Sequence, residues 1–428
     1  MQPRRLLKRV LLVLTALVVL AVVGFVLLVG PWPVYSDSKY QSRDYFMTNL
    51  IRIRDAAKAS SFTDTPGHLK AGWAERDMTP PIGTPLAGYS GRPNDKRSTG
   101  VHDEVYARAI VLSDGEDTVA LVGADLLMTT INIAEAVWAQ VAAATPLTQQ
   151  DIFFTSSHSH CGPGGYMPGL VGTFSAGEYD PRVVDLISGA IAGAIIDAYN
   201  SMSSASISHA VARAPEWIEN RTGVEGEDDS LRFLKIDKES GGSCWAVRYS
   251  AHPTVLPEDF LQVSGDYAGQ FARQLSMRTG DMVVFLGGAV GGMGPVPPEA
   301  PTDENRISLM GSALADRVLA HGETRESQTN VDIASFSVPV DMPPMQARPW
   351  PEDWRWSDKL RLSPWFAKVA GIPTNGWIAA VRVGDLVFLG LPYDSGGAIA
   401  ADWADAAATD GIDLWVSSHA SAYCGYLS

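Results

Sequence analysis

Asp151-Ile-Phe-Phe-Thr-Ser-Ser-His-Ser-His-Cys-Gly-Pro-Gly-Gly-Tyr166 is the stretch where an apolar run meets a glycine-rich loop. Ile152 to Thr155 are β-branched or aromatic, which predicts a short buried strand with the histidines at its end. If the extended backbone continues, alternation sends His158 and His160 to the same side. Gly162, Gly164 and Gly165 remove side chains beside them, so backbone and a ligand can approach closely. Two imidazoles on one face supply half of a tetrahedral metal site. The plainer alternative is a pair of polar residues capping a strand.

Outward from this strand the chain alternates between two periodicities. Val105–Leu112 and Thr118–Asp125 read as strands joined by the turn sequence Ser113-Asp-Gly-Glu-Asp117. Ile133–Ala144 and the Ala/Ile-rich Val183–Tyr199 have helical spacing. Ile207–Ala212, Leu231–Asp237 and Cys244–Ala251 return to strands, and Tyr267–Gly280 is helical. Met282–Leu286 is a fully apolar strand that runs into Gly287-Gly-Ala-Val-Gly-Gly-Met-Gly-Pro295. A helix over Ile307–His321 follows. Residues 339–376, rich in Pro and Trp, fit neither period and read as a packed, irregular excursion. Trp377–Val383 and Leu386–Leu391 form a last hairpin. The pattern predicts an α/β fold, a single large domain with a mixed sheet flanked by helices and preceded by one N-terminal transmembrane helix.

That leading segment, Val10 to Gly30, is uncharged, dominated by Leu and Val, and about as long as a bilayer is thick. Arg4, Arg5, Lys8 and Arg9 precede it, which predicts a cytoplasmic N-terminus with the body periplasmic or extracellular. A cleaved signal peptide is the competing reading, but Gly30-Pro-Trp-Pro-Val-Tyr35 lacks the small-residue cleavage pattern. Setting those four basic residues aside leaves 29 basic against 48 acidic residues, a body of net charge −19. Such a surface repels phosphate backbones, so no nucleic-acid partner is expected. The 3 cysteines, Cys161, Cys244 and Cys424, imply no disulfide framework. Cys161 adjoins the histidines and reads as a small buried residue, with metal ligand or nucleophile as the alternatives.

Further polar residues stand at the ends of the expected strands, where α/β proteins place their chemistry. They are His252 in Tyr249-Ser-Ala-His-Pro-Thr254, Asp394 after Leu389-Gly-Leu-Pro-Tyr393, Asp125 in Gly123-Ala-Asp-Leu126, and the tyrosines of Ala422-Tyr-Cys-Gly-Tyr426. Taken singly, each has an ordinary structural explanation as a cap, a turn residue or a packed ring.

Together with several other segments, they resemble the N-terminal catalytic domain of the neutral/alkaline non-lysosomal ceramidases. The resemblance rests on Gly72-Trp-Ala-Glu-Arg-Asp-Met-Thr-Pro-Pro81, Ala87-Gly-Tyr-Ser90 and Gly100-Val-His-Asp-Glu-Val-Tyr-Ala-Arg-Ala109. It continues through Ser156–Tyr166, Ala251-His-Pro-Thr254, the loop before Pro295, Leu391-Pro-Tyr-Asp394 and Ala420-Ser-Ala-Tyr423. It implies a zinc site of His158, His252, Asp394 in place of the family's glutamate, and Tyr423, with Tyr426 three residues away. It further implies catalytic roles for His160 and for Arg221 of Glu219-Asn-Arg-Thr222. The chain then divides into a cytoplasmic tail (1–9), a transmembrane anchor (10–30), a membrane-proximal linker (31–68) and a ceramidase-like domain (69–428).

The most important departure from the family lies in the Gly-rich loop. Where the family carries Gly-Asp-Val-Ser-Pro with a nucleophilic serine, this sequence has Gly291-Gly-Met-Gly-Pro295, placing Gly294 at the serine and Gly292 at the aspartate. The expected function is therefore a membrane-anchored zinc hydrolase. It would cleave an amide, lipid amides included, by metal-bound water, with the glycine-rich loop offering backbone N–H groups to the oxyanion. The alternatives are a catalytically inactive relative that binds a lipid or cell-envelope ligand, and a tethered structural protein in which the histidines only pack.

Overall fold

The computed structural model describes residues 3–29, 37–60, 65–223, 225–321, 326–343, 373, 375–420 and 422–427. The chain forms two compact units, residues 1–50 with 341–374, and residues 51–340 with 375–428. The first contains the helix Pro3–Val29, whose 19-residue segment Leu7–Phe25 is long and apolar enough to cross a membrane. Of the expected Pro/Trp excursion, residues 339–341 finish a strand and residues 375–376 begin one. Most of the remainder, 344–372, lies outside the described residues.

The second unit is built on an eight-stranded mixed sheet. In spatial order its strands are Met282–Gly287, Ser243–Tyr249, Ser230–Lys238, Ser203–Arg213, Lys70–Asp77, Tyr106–Ser113, Thr118–Ala124 and Ile152–Ser156. Only the two pairs at the edges are parallel. Strand alternation sorts the core: Ala107, Ala109 and Val111 face one side, Ile110 and Leu112 the other. The first side is covered by helices, among them Ile131–Ala144 and Pro181–Asn200. The other packs against a second, four-stranded sheet of Ile333–Asp341, Asn375–Val383, Leu386–Gly390 and Asp413–Ser417. Phe153, Phe388 and Trp415 fill the space between the sheets, with ring centroids 5.9 Å and 5.0 Å apart along the series. The helix expectation thus holds for one face, and a second sheet covers the other.

The eight-stranded sheet curls until its two edges meet. A Cβ on Gly287 would stand 2.1 Å from the Ser156 carbonyl oxygen, and one on Gly123 2.4 Å from that of Phe285. Glycine at these two positions lets the edge strands touch. The consequence is functional: the ends of Ile152–Ser156, Met282–Gly287 and Ser243–Tyr249 converge. In the second sheet the parallel pair Leu386–Gly390 and Asp413–Ser417 adds its own ends beside them.

Candidate metal centre

His158 follows Ile152–Ser156, but not on extended backbone. Its φ is +68°, left-handed, so the alternation expected from sequence breaks at this residue. The backbone N–H of Ser157 and of His158 donate to Ala124 and Leu126 at 2.8 and 2.9 Å, which pins the turn. The His158 Nδ1 lies 2.5 Å from the Leu127 carbonyl oxygen. A carbonyl only accepts, so Nδ1 carries the proton and Nε2 is left with a bare lone pair. His252 is oriented in the same way, with Nδ1 3.1 Å from Val290 O, and its own N–H donates to Met293 O at 2.8 Å. His160 Nε2 then sits 2.9 Å from His252 Nε2, which places the proton on His160. Despite the turn, all three rings face one centre, with centroids 4.3 to 5.1 Å apart.

The Ala87-Gly-Tyr-Ser90 segment explains how His160 is seated. A Cβ on Gly88 would lie 2.6 Å from the His160 ring, so only glycine fits. Tyr89 packs its ring on His160 at 4.7 Å and donates its hydroxyl to Leu256 O at 2.7 Å. Arg92 donates to the His160 carbonyl oxygen at 2.5 Å. The glycines of the 162–165 loop serve the same kind of purpose: Gly164 makes room for the carbonyls of Ala176 and Pro85, not for a ligand.

Asp394 is buried and reaches the same centre from the second sheet, its Oδ1 3.7 Å from His158 Nε2. Gly291, lacking Cβ, lets the Asp394 backbone come close: an added Cβ would lie 2.4 Å from the Asp394 carbonyl oxygen. Tyr423, half-buried, donates its hydroxyl to Asp394 Oδ2 at 3.0 Å. The side chain of Tyr426 lies outside the described ones. The residue that the sequence reading missed is His419, fully buried, hydrogen-bonded through Nε2 to Asp394 Oδ1 and stacked on His158 at 4.2 Å and 9°. A signal was present: Ser417-Ser-His419 repeats Ser156-Ser-His158, each at the end of an apolar strand.

The other sequence candidates sort clearly. Asp125 receives the Tyr106 N–H at 3.0 Å and Arg108 at 3.1 Å, a structural tie between neighbouring strands. The Cys161 thiol is buried, and burial pushes it up to about 12, which keeps it a protonated, inert thiol. Arg221 is exposed and lies against Gly294, where an added Cβ would meet its Nε at 2.3 Å. The guanidinium thus covers the place that a side chain at position 294 would take. The glycine-rich loop does not offer the row of N–H groups expected of it. Those of Gly288, Ala289, Val290, Gly291 and Met293 donate to Tyr249 O, Ser250 Oγ, Gly288 O, Ser395 O and Val290 O.

Burial, joined by neighbouring imidazoles, holds His158 and His160 well below the ordinary histidine range. Burial also holds His252 down, to about 4. All three are neutral at neutral pH, the state in which imidazole donates a lone pair. Burial works to raise the Asp394 carboxyl, but the facing His419 and His158 outweigh it and hold the group well below the usual carboxylate range. Neutral imidazoles anchored through Nδ1 and an ionised carboxylate make a donor set that fits a divalent cation. Two sets are formed, His158 with His160 and His252, and His158 with Asp394 and His419, each with ligand atoms within 4.8 Å of one another. Both depend on the single free nitrogen of His158, so they describe one ion site, not two.

The sequence profile of the neutral/alkaline non-lysosomal ceramidase N-terminal domain matches residues 69–280. Among curated proteins, the neutral ceramidase of Mycobacterium tuberculosis is 24% identical over 254 residues, 51% of this chain and 39% of that protein. Neutral ceramidase 2 of Arabidopsis thaliana is 23% identical over 208 residues, 44% of this chain and 27% of its own length. The chain thus aligns with less than half of either relative. The crystal structure of neutral ceramidase from Pseudomonas aeruginosa has the same fold, with a TM-score of 0.71 at 17% identity over 84% of this chain and 69% of that one. By profile, by curated relatives and by fold, the chain belongs to the neutral/alkaline non-lysosomal ceramidase family.

Proposed function

We propose that this protein is a zinc-dependent hydrolase of acyl-amides, its substrate a lipid or lipid-like amide, anchored by its N-terminal helix with the body outside the cytoplasm. The observation that supports the reading is that His158 stands in both donor sets, beside His160 and His252 in one and beside Asp394 and His419 in the other, all drawn from segments far apart in sequence. His158, His252, Asp394 and Tyr423 would hold the ion. Zinc supplies Lewis-acid chemistry, polarising a carbonyl and lowering the pKa of water to about 7.

The chain's own residues do the rest. His160, neutral and with its proton on Nε2, stands against the centre and can pass that proton to a departing amine. Tyr89 and Arg92 keep its ring and backbone in place. Arg221, lying over Gly294, brings positive charge to the position where a hydroxyl is missing, and the bound carbonyl oxygen gains negative charge in the transition state. The N–H groups of Gly288 to Gly291 and of Met293 are already bonded within the protein, which gives the guanidinium the larger share of this task.

The test is fatty-acid release from a panel of N-acyl amides, ceramide included, by the full chain in detergent. The reading expects turnover that falls by roughly 10²–10⁴ in His160→Gln, the usual worth of a positioned acid–base group. A folded, metal-loaded protein that cleaves none of the panel yet binds one of its members would instead support the catalytically inactive binding reading.

A further inference from the structure

His419 stands in the centre without a task in the scheme above. We infer that His419 is a positioning residue: through its Nε2–H it holds the Asp394 carboxylate in the attitude required for metal binding. The inference rests on the metal-centre reading and deepens it.

Three observations carry it. The Ser-Ser-His turn occurs twice, and in both copies the histidine adopts left-handed backbone, φ +68° at His158 and +60° at His419. Non-glycine residues avoid that conformation, and a buried residue kept there implies that the position of its ring matters. Second, Asp394 is gripped at both oxygens, Oδ1 by His419 and Oδ2 by the Tyr423 hydroxyl at 3.0 Å. A short carboxylate held from two sides cannot rotate away from His158.

The third observation separates a positioning role from direct ligation. His158 and His252 each give Nδ1–H to a backbone carbonyl and so keep a bare Nε2. Among the described residues, His419 Nδ1 has no partner. Were Nε2 to bind the ion, the proton would sit on a buried Nδ1 with no acceptor. With the proton on Nε2 and donated to Asp394, only a lone pair is left unpaired, the cheaper arrangement.

The experiment is zinc affinity by chelator competition on the full chain, for wild type, His419→Leu and His419→Gln, with the visible spectrum of the cobalt(II)-substituted forms. His419→Leu removes the donor and should weaken zinc binding about 10–100-fold, as loss of an outer partner does. His419→Gln restores an N–H near the Nε2 position and should bind within a few-fold of wild type, with an unchanged cobalt spectrum. His419→Leu with wild-type affinity overturns the inference, and so does a His419→Gln spectrum showing a lost nitrogen ligand. Wild type that binds no zinc overturns the metal-centre reading itself, a different result from either. Thermal melts of each variant without metal show whether a loss of affinity is only a loss of fold, and His419→Gln carries the test if His419→Leu does not fold.

Discussion

Gly292 and Gly294, which the family resemblance sets at an aspartate and a serine position, are given different constraints by the structure. Gly292 has φ +74°, and a Cβ there would lie 2.2 Å from Thr222 Cγ2. Gly294 lacks that backbone strain, and its obstacle is the movable end of Arg221. Gly292→Ala should therefore lower stability by about 1–3 kcal/mol, whereas Gly294→Ala should change it by less than about 1 kcal/mol. Urea denaturation midpoints distinguish the two, and equal losses would show that Arg221 cannot move aside. His158, His252 and Asp394 were legible in the sequence because each follows an apolar strand and carries a metal-binding group. His419 was not, since a lone histidine has no spacing partner, and what marks it is the repeated Ser-Ser-His turn and a stacking contact across the two sheets.

Among the elements, the edge contact of the eight-stranded sheet decides where the site forms. Gly287 lets the strand Met282–Gly287 lie against Ser156, and both strands then deliver their ends to the histidines. Gly287→Ala would force backbone apart, so a loss on the order of 2 kcal/mol is expected, together with weaker metal binding as His158 shifts. Gly189, in the helix Pro181–Asn200, has nothing among the described residues within 4 Å of a would-be Cβ. Gly189→Ala should gain about 0.5–1 kcal/mol, and the pair of variants measured together separates close approach from chain entropy. A stable Gly287→Ala protein with normal metal binding would contradict this account of the sheet. Most strands and helices were legible because their apolar periods are local. The strand Lys70–Asp77 was not, because its outer half is polar and partly exposed and only its first residues are paired on both sides. The stacking of the second sheet was hidden for another reason: which faces meet is a non-local property.

At the scale of the whole molecule, the buried histidines couple stability to pH. In the unfolded chain a histidine titrates near 6.5, while His252 in the folded state is held to about 4 and His158 and His160 lie well below 6.5. A folded-state pKa below the unfolded one gives stability that is present above about pH 6.5 and lost as pH falls toward 4, roughly 3 kcal/mol for His252 over the full window. Asp266 works the other way. Burial raises its carboxyl to about 7, so its contribution declines as pH rises from about 4 through 7. His102, Asp117, Asp125 and Asp229 are also shifted upward, but by less, so the three buried histidines predict that the metal-free protein melts at lower temperature at pH 5 than at pH 7. A bound ion should widen the gap, since protons compete for its ligands. Greater stability at pH 5 would mean that the histidines are charged in the fold and are not poised as ligands.

The claim on which the rest depends is that this family member builds a metal centre from His158, His252 and Asp394. Elemental analysis of the full chain purified in detergent, wild type beside His158→Ala, tests it most directly. The account predicts about one zinc per wild-type chain and close to none in a folded His158→Ala. A wild-type chain that carries no transition metal after exposure to zinc, or a variant that retains as much as wild type, would contradict it.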